Sequence, residues 1–375
     1  MFMVKILHIM PVDKFTADVR DFYAVFYKNH EILYLSYPGK EIEINGKTGL
    51  KQYQIIMRNS FDVHSFGRVL AMMKRYDYCI LHSLFVPYLL QGWICADKRV
   101  LNKIVWIEWG FDLYVSQAAN VFKKVLTRKI DIVIRTQIKA MIGIFPPDID
   151  YYRSLYKSYK CELFFAPYCG PCIEDAYLNY STYCSLEHKT KADVVYIQVG
   201  HNAIPTLNHE QVLIKLRRFA NENIKIFLPL SYGDMVYGDY IEKKANALFG
   251  KEKCICLRKF IPKDQYFELQ KKIDIAIFDT ERQCALSNIN SMIFKNVKLF
   301  MSETSTMFEY FRSKGIPIEP VSVIDDISYD KFRQPIKILN KSDFMKYIND
   351  YSSIDNRVSH WNKVYEFLDK GCKDE

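Results

Sequence analysis

No run of 18 or more apolar residues occurs in the 375-residue chain, so no segment is expected to span a bilayer. Glycine and proline are scarce, at 14 and 13, which excludes collagen-like segments and long flexible linkers. The sequence holds no Gly-x-Ser-x-Gly elbow and no Gly-x-Gly-x-x-Gly turn. Gly46-Lys47-Thr48 copies the end of a P-loop, but Glu41 stands where that motif needs its first glycine. His209-Glu210 is followed by Leu213 where a zincin helix needs its second histidine. Lys5 and His8 interrupt the first apolar run and no small-residue cleavage site follows it, so Val4–Met10 reads as a buried strand rather than a signal peptide.

Cysteine is not scarce, but the ten cysteines are scattered through a large chain and read as reduced core thiols of a cytoplasmic protein. Cys169-Gly170-Pro171-Cys172 spells a thioredoxin-type pair. Cys161, Cys169, Cys172 and Cys184 offer zinc ligands without a second close pair. Neither reading outweighs chance spacing.

What is present is globular in kind: 49% hydrophobic and 25% charged residues, with length enough for two domains. Two features stand out. Aromatic residues reach 15%, from 27 tyrosines, 25 phenylalanines and 4 tryptophans. The net charge is +9, which invites nucleic acid, an anionic lipid surface or a phosphorylated small molecule. The first 185 residues hold 23 Lys and Arg against 17 Asp and Glu, and the rest 29 against 26, so the excess lies mainly in the first half.

Short apolar runs alternate with amphipathic segments. Val4–Met10, Glu31–Ser36, Tyr78–Phe85, Lys103–Trp109, Met141–Phe145 and Glu162–Ala166 predict strands. Thr16–Asn29, Ser65–Arg75, Pro87–Lys98, Ala118–Lys139 and Asp148–Tyr156 predict helices, the last capped by Asp148. Asp148-Ile149-Asp150 resembles a metal-binding Asp-x-Asp, but capping explains it more simply. Tyr168 to Lys191 has no clear period. A second series follows: strands at Val194–Val199, Lys225–Pro229, Cys254–Leu257, Ile275–Phe278 and Val297–Met301. Its helices are Asn208–Ala220, Tyr240–Phe249, Lys263–Lys272, Gln283–Phe294 and Thr306–Ser313, with a helical tail over Ser342–Leu368. Such alternation predicts an α/β protein of two doubly wound parallel-sheet domains, with ligands at the carboxyl ends of the strands. The expected division is 1–170, a linker 171–191, 192–340 and a tail 341–375.

Four patches fall at predicted strand ends. Trp106-Ile107-Glu108-Trp109-Gly110-Phe111-Asp112-Leu113-Tyr114 combines indoles suited to sugar rings with carboxylates able to take a proton. Equally, its tryptophans can be core and Asp112 a helix cap. Val199-Gly200-His201-Asn202, with Asn208-His209 downstream, forms a polar loop before a helix, where backbone N–H groups can hold a phosphate. Pro229-Leu230-Ser231-Tyr232-Gly233 lies on the same edge. Phe278-Asp279-Thr280-Glu281-Arg282-Gln283 places a forked cation at a strand-to-helix junction, suited to a diphosphate or to a salt bridge with a neighbouring acid.

Together these patches resemble the bacterial 4-acetamido-4,6-dideoxygalactose (Fuc4NAc) transferases, family 56 of the glycosyltransferases. The resemblance is carried by Trp109-Gly110-x-Asp112-Leu113-Tyr114, Val199-Gly200 with Asn208-His209, and Pro229-x-x-Tyr232. It continues through Lys259, Asp264-x-Tyr266, Asp274, Phe278 and Arg282-Gln283, in order from about residue 78 to 315. It implies a GT-B fold: two Rossmann-like domains, parallel sheets facing a central cleft, an N-terminal acceptor domain and a C-terminal donor domain. It implies inverting transfer from a nucleotide sugar, dTDP-Fuc4NAc in enterobacterial common antigen synthesis. The acceptor would be an undecaprenyl-diphosphate-linked saccharide at the cytoplasmic membrane face. Where the family carries glycines after Arg-Gln, this chain has Ala285 and Ser287.

On this reading Asp112 is the expected catalytic base, with Glu108, Asp13 and His82 in reserve. Trp109 and Tyr114 would meet the acceptor. Gly200, Asn202, Tyr232, Lys259, Arg282, Gln283, Ser287, Asn288 and Glu303 would hold the donor. No metal or cofactor is expected. The basic amphipathic stretch Val121–Ile130 is a candidate for lying on anionic lipid. The alternatives are another GT-B enzyme, such as a lipopolysaccharide or capsule fucosyltransferase, and a basic α/β protein binding nucleic acid. The positive charge is not gathered into any nucleic-acid reader motif, so no nucleic-acid partner is expected.

Overall fold

The computed structural model describes residues 4–13, 15–44, 48–114, 121–169, 186, 189–190, 192–338 and 340–372. The chain forms two compact units, residues 1–172 with 353–375, and residues 173–352.

The first unit is built on seven strands: β1 Ile6–Pro11, β2 Glu31–Ser36, β3 Lys51–Ile56, β4 Tyr78–His82, β5 Ile104–Ile107, β6 Ala140–Gly143 and β7 Glu162–Phe165. Their order is β3-β2-β1-β4-β5-β6-β7, and every pairing is parallel. Five of these strands are buried almost throughout, because helices cover both faces of a parallel sheet. The two edge strands, β3 and β7, are the exceptions, and β7 has no buried residue; β3 is the one the sequence hides. Its sequence KQYQII has one buried residue, Ile55, and carries too little apolar signal to be read as a strand. The chain order reverses between β1 and β4, which opens a crevice at their carboxyl ends.

Local chemistry sets the helices. Asp62 accepts a hydrogen bond from Ser65 N at 3.1 Å and starts the helix Val63–Met73. That helix buries Phe66, Val69 and Met73 at helical spacing. The helix expected to begin at Asp148 begins instead at Pro146, with the two prolines filling its first turn. Asp148 is therefore inside the first turn and is not the cap.

The second unit has six parallel strands: β8 Val195–Val199, β9 Ile224–Pro229, β10 Cys254–Leu257, β11 Ile275–Phe278, β12 Lys298–Met301 and β13 Ile318–Pro320. Their order is β10-β9-β8-β11-β12-β13, so its switch point lies between β8 and β11. The helix expected from Gln283 begins at Leu286, with Ala285 at its N-cap position in a left-handed conformation, φ 50°.

The expected tail at 341–375 is not a separate element. Lys341–Ser352 falls in the second unit, whereas the helix Ile354–Gly371 returns to the first. Its apolar stripe, Trp361, Val364, Tyr365 and Leu368, is buried with Ile6, Met10 and Tyr23 in the first unit's core. The Trp361 indole donates to Pro167 O at 3.0 Å.

Candidate functional site

The carboxyl edge of the first sheet carries a hydrogen-bond lattice around two buried acids, beside which the Trp109 indole N–H is buried without a hydrogen-bond partner. Asp112 is 3% exposed. Its Oδ2 accepts from Leu84 N at 2.9 Å and from the Trp106 indole at 2.8 Å, and its Oδ1 accepts from Trp109 N at 2.8 Å. One carboxylate thus ties the loop after β4 to β5 and to the loop after β5. Glu108 is fully buried and does the same for its neighbours: Oε2 accepts from Gly110 N at 2.6 Å and Oε1 from Ile144 N at 3.1 Å. Burial raises the pKa of both acids, and for Glu108 the nearby Asp148 and Asp112 raise it further. Two positive-φ residues shape this edge, Ser83 at 76° and Gly110 at 78°. The serine adopts a conformation that costs a side-chain-bearing residue about 1–2 kcal/mol.

These contacts change the standing of the expected base. Asp112 and Glu108 are enclosed and engaged with backbone and indole donors. His82 is also fully buried, with its pKa pushed down to about 3 by burial. Asp13, just beyond β1, is the half-buried member of the four. Its Oδ1 accepts from Phe15 N at 2.8 Å, beside the start of the helix Thr16–Phe26.

Trp109 lies in an aromatic group with Phe15, Phe85 and Tyr168, at ring separations of 6.1, 6.3 and 5.3 Å. Phe85 and Phe111, 5.8 Å apart, are 46% and 41% exposed and extend this surface. Tyr114 is placed differently. Its ring stacks on Tyr151 at 4.5 Å and its hydroxyl donates to Asp148 at 2.9 Å, which is a packing role.

The second sheet's carboxyl edge gathers the expected donor residues on five successive strand ends. Gly200 and Asn202 follow β8, Tyr232 follows β9, Lys259 follows β10, Arg282 and Gln283 follow β11, and Glu303 follows β12. Ser287 and Asn288 occupy the first turn of the helix Leu286–Phe294, where Asn288 donates to the Tyr266 hydroxyl at 3.3 Å. Glu303 is exposed and accepts from the Ser322 hydroxyl at 2.6 Å. The loops after β8 and β9 are joined: Ala203 N donates to Tyr232 O and Asp234 N to Ala203 O, both at 2.8 Å. Gly200 has φ 64°, and a Cβ there would lie 2.3 Å from His209 Nε2. Glycine is thus required both by conformation and by the close approach of the ring.

This edge is not saturated. Among the described residues, Gln198 Oε1, Asn202 Oδ1, His209 Nε2 and Thr280 Oγ1 are buried without a hydrogen-bond partner. All four belong to β8, the segment after it or the end of β11, on either side of the switch point. Burial of such groups without partners costs about 1–3 kcal/mol each, and their clustering marks a place for a polar ligand. Asp279 sits beside them with its carboxyl raised by burial. Sequence reasoning missed Gln198 and Thr280, since neither residue type is diagnostic by itself. It also read Asn208 as a capping side chain, but that residue is left-handed, φ 47°, and makes no side-chain cap bond.

The remaining sequence signals are structural. Asp274 lies at the amino end of β11, where it accepts from Tyr196 N at 2.8 Å and pairs with Lys189. Cys169 is buried with its thiol pushed up to about 12, the reverse of a redox thiolate. Cys172 and Cys184 lie outside the described residues. Among the described residues no three His, Cys, Asp or Glu side chains are grouped for a metal ion.

Two parallel-sheet α/β units, each with polar groups at the carboxyl edge of a reversing strand order, define the GT-B class of glycosyltransferase fold. Solved structures agree. Sucrose-phosphate synthase from Thermosynechococcus elongatus superposes with TM-score 0.68 at 10% identity, over 97% of this chain and 99% of that one. Anabaena HepE in complex with UDP and glucose gives 0.66 at 8%, over 98% and 100%. A glycosyltransferase from Rickettsia africae gives 0.62 at 12%, over 97% and 98%. At such identities the likeness is one of fold. The sequence model of glycosyl transferase group 56, the 4-alpha-L-fucosyltransferases, matches residues 62–363, and the chain belongs to that family. It is a glycosyltransferase.

Proposed function

We propose that this enzyme carries out metal-independent, inverting transfer of a deoxy or acetamido sugar from a dTDP-sugar to an undecaprenyl-diphosphate-linked saccharide in bacterial surface polysaccharide synthesis. The observation that carries the donor assignment is the unsatisfied polar cluster around Gly200 and Thr280. A nucleotide diphosphate supplies the missing partners there. HepE, of the same fold, was solved with UDP, which supports a nucleotide donor.

In the reaction the acceptor O–H bond breaks and its proton passes to a carboxylate. The oxygen attacks the anomeric carbon, and the bond to the diphosphate breaks with its electron pair leaving on phosphate. Arg282 and the first N–H groups of Leu286–Phe294 stabilise that charge. Ala285 offers no side chain to cap those N–H groups. For the base we propose Asp13 in place of Asp112, because a base must be reached by the acceptor hydroxyl. Trp109, Phe85 and Phe111 give the acceptor an apolar platform.

No helix among the described residues is long and apolar enough to cross a membrane. We place the protein peripherally on the anionic cytoplasmic face of the inner membrane, using the helix Val121–Thr136, on which Arg128 and Lys129 are exposed. Transfer or donor hydrolysis with a panel of nucleotide sugars tests the reading. Failure to bind any of them with the fold intact would sink it. Asp13→Asn is expected to lower turnover about 10²–10⁴-fold without weakening donor binding. Near-full turnover by that variant would remove Asp13 from the role.

A further inference from the structure

Phe260, on the loop that follows β10, is 66% exposed. Its ring stacks on that of Tyr232, from the loop after β9, with centroids 5.6 Å apart and planes 12° from parallel. On from Tyr232 stands the ring of His201, from the loop after β8, at 6.4 Å. Three rings thus follow one another along the carboxyl edge of β8, β9 and β10, and the outermost is open to solvent.

The mount of that ring is firm. Two residues before it, the Arg258 guanidinium donates to Leu230 O at 3.5 Å and to Met235 O at 3.2 Å. The same group pairs with Asp239 and, at 3.4 Å, with Glu242 on the helix Met235–Phe249. A Cβ at Gly238 would meet the guanidinium, so the glycine lets it lie against that helix. Leu230 N donates to Leu257 O at 2.8 Å and joins the ends of β9 and β10. A ring carried on such a frame loses little freedom when something covers it.

A single exposed apolar side chain is ordinary on a protein surface. An ordered aromatic stack beside a polar site is different, because a phenyl ring has no hydrogen bond to offer and pairs best with another flat face. Position decides which one. β9 lies between β10 and β8. Neighbouring strands are about 4.8 Å apart, so the loop after β10 stands about 10 Å along the edge from the loop after β8. A donor with its diphosphate at the switch point between β8 and β11 extends to both sides, the base one way and the sugar the other. Toward β12 the edge offers Ser302, Thr304 and Glu303, whose hydroxyls and carboxylate suit a hydroxyl-bearing sugar. Toward β10 it offers the aromatic stack.

We propose that Phe260, backed by Tyr232, stacks on the base of the donor nucleotide and strengthens its binding without selecting which base is bound. Every base has a π-face, so stacking is tolerant of base identity. The inference rests on the reading of this edge as the donor site.

Calorimetric titration of the full chain with dTDP and with UDP reads the stack. Phe260→Ala is expected to weaken both nucleotides about 10-fold. Phe260→Tyr, which keeps the ring, is expected to stay within about 2-fold of the wild-type affinity. Val236→Ala removes another exposed apolar side chain from this edge and is expected to change neither affinity. In turnover, Phe260→Ala is expected to raise the donor KM about 10-fold with kcat unchanged, since the stack is formed equally in the ground and transition states. Undiminished nucleotide binding in Phe260→Ala overturns the stack and leaves the donor site standing. Equal weakening in Phe260→Ala and Val236→Ala, or in Phe260→Ala and Phe260→Tyr, overturns it too. Folded wild-type protein that binds neither nucleotide sinks the donor reading itself.

Discussion

The two sheets share a topology but treat their carboxyl edges in opposite ways. On the first, Asp112 and Glu108 spend their oxygens on N–H donors of the adjoining loops. On the second, Gln198, Asn202, His209 and Thr280 keep buried polar atoms without partners. Those acids hold the loops of the first edge in place, although its Trp109 indole N–H is also buried without a hydrogen-bond partner. Groups left unpaired on the second edge cost stability and are ones a polar ligand would satisfy. The same fold can therefore carry a self-supporting platform on one unit and a pre-organised polar site on the other.

The largest expected asymmetry is acid sensitivity. His8, His30 and His82 are buried neutral in the first unit, whereas His209, depressed to about 4, stands in the second. A histidine with a lowered folded pKa binds fewer protons folded than unfolded. Its stability is thus complete above the unfolded value of about 6.5 and is lost as pH falls from there toward the folded value. Each costs about 1 kcal/mol between pH 6.5 and 5.5, so the three should take about 3 kcal/mol from the first unit, partly offset by Glu108, whose raised pKa acts in the opposite sense, against about 1 kcal/mol from His209 in the second. Hydrogen exchange resolved by unit checks this; equal losses would remove the asymmetry.

Next in size is Gly200→Ala. Left-handed strain and the clash with His209 together should cost about 3 kcal/mol and eliminate measurable donor binding. Calorimetric titration with nucleotide and urea unfolding read the two effects. Asp112→Asn strands at least one of three donors and should cost about 1–3 kcal/mol in urea unfolding, with turnover in the folded fraction little changed. Thr280→Val should do the reverse: stability unchanged or raised by up to about 1 kcal/mol, but donor affinity reduced about 10-fold. If Thr280→Val destabilises as Asp112→Asn does, the contrast between the edges fails. The smallest effect is that of Ala285→Gly, expected to raise stability by about 1 kcal/mol by relieving φ 50°.

Much of this was legible in the sequence. β2 and β11 match the strands read from Glu31–Ser36 and Ile275–Phe278 because buried parallel strands are continuous apolar runs, and β10 matches Cys254–Leu257 because this half-buried edge strand is an apolar run too. β3 was lost because an edge strand exposed along most of its length has no such run. The residues expected to hold the donor fall on one edge because each follows a strand. The proposal of Asp13 over Asp112 as base has a physical reason that the sequence does not show. Sequence places Asp112 and Asp13 near strand ends alike, but only tertiary structure tells which carboxylate is enclosed by donors. The stack of Phe260 on Tyr232 was invisible because the two are far apart in sequence and meet only through the pairing of β9 with β10.

The helix Ile354–Gly371 has a consequence for synthesis. Its Trp361, Val364, Tyr365 and Leu368 complete the core of the unit that the ribosome delivers first. The intervening residues, 173–352, can finish their own core while that earlier one still lacks a wall. The order of maturation is then the reverse of the order of translation, and the nascent first unit carries an uncovered apolar face until some 350 residues have been made. A chain stopped before residue 353 would leave that face exposed permanently, to be recognised by chaperones and proteases.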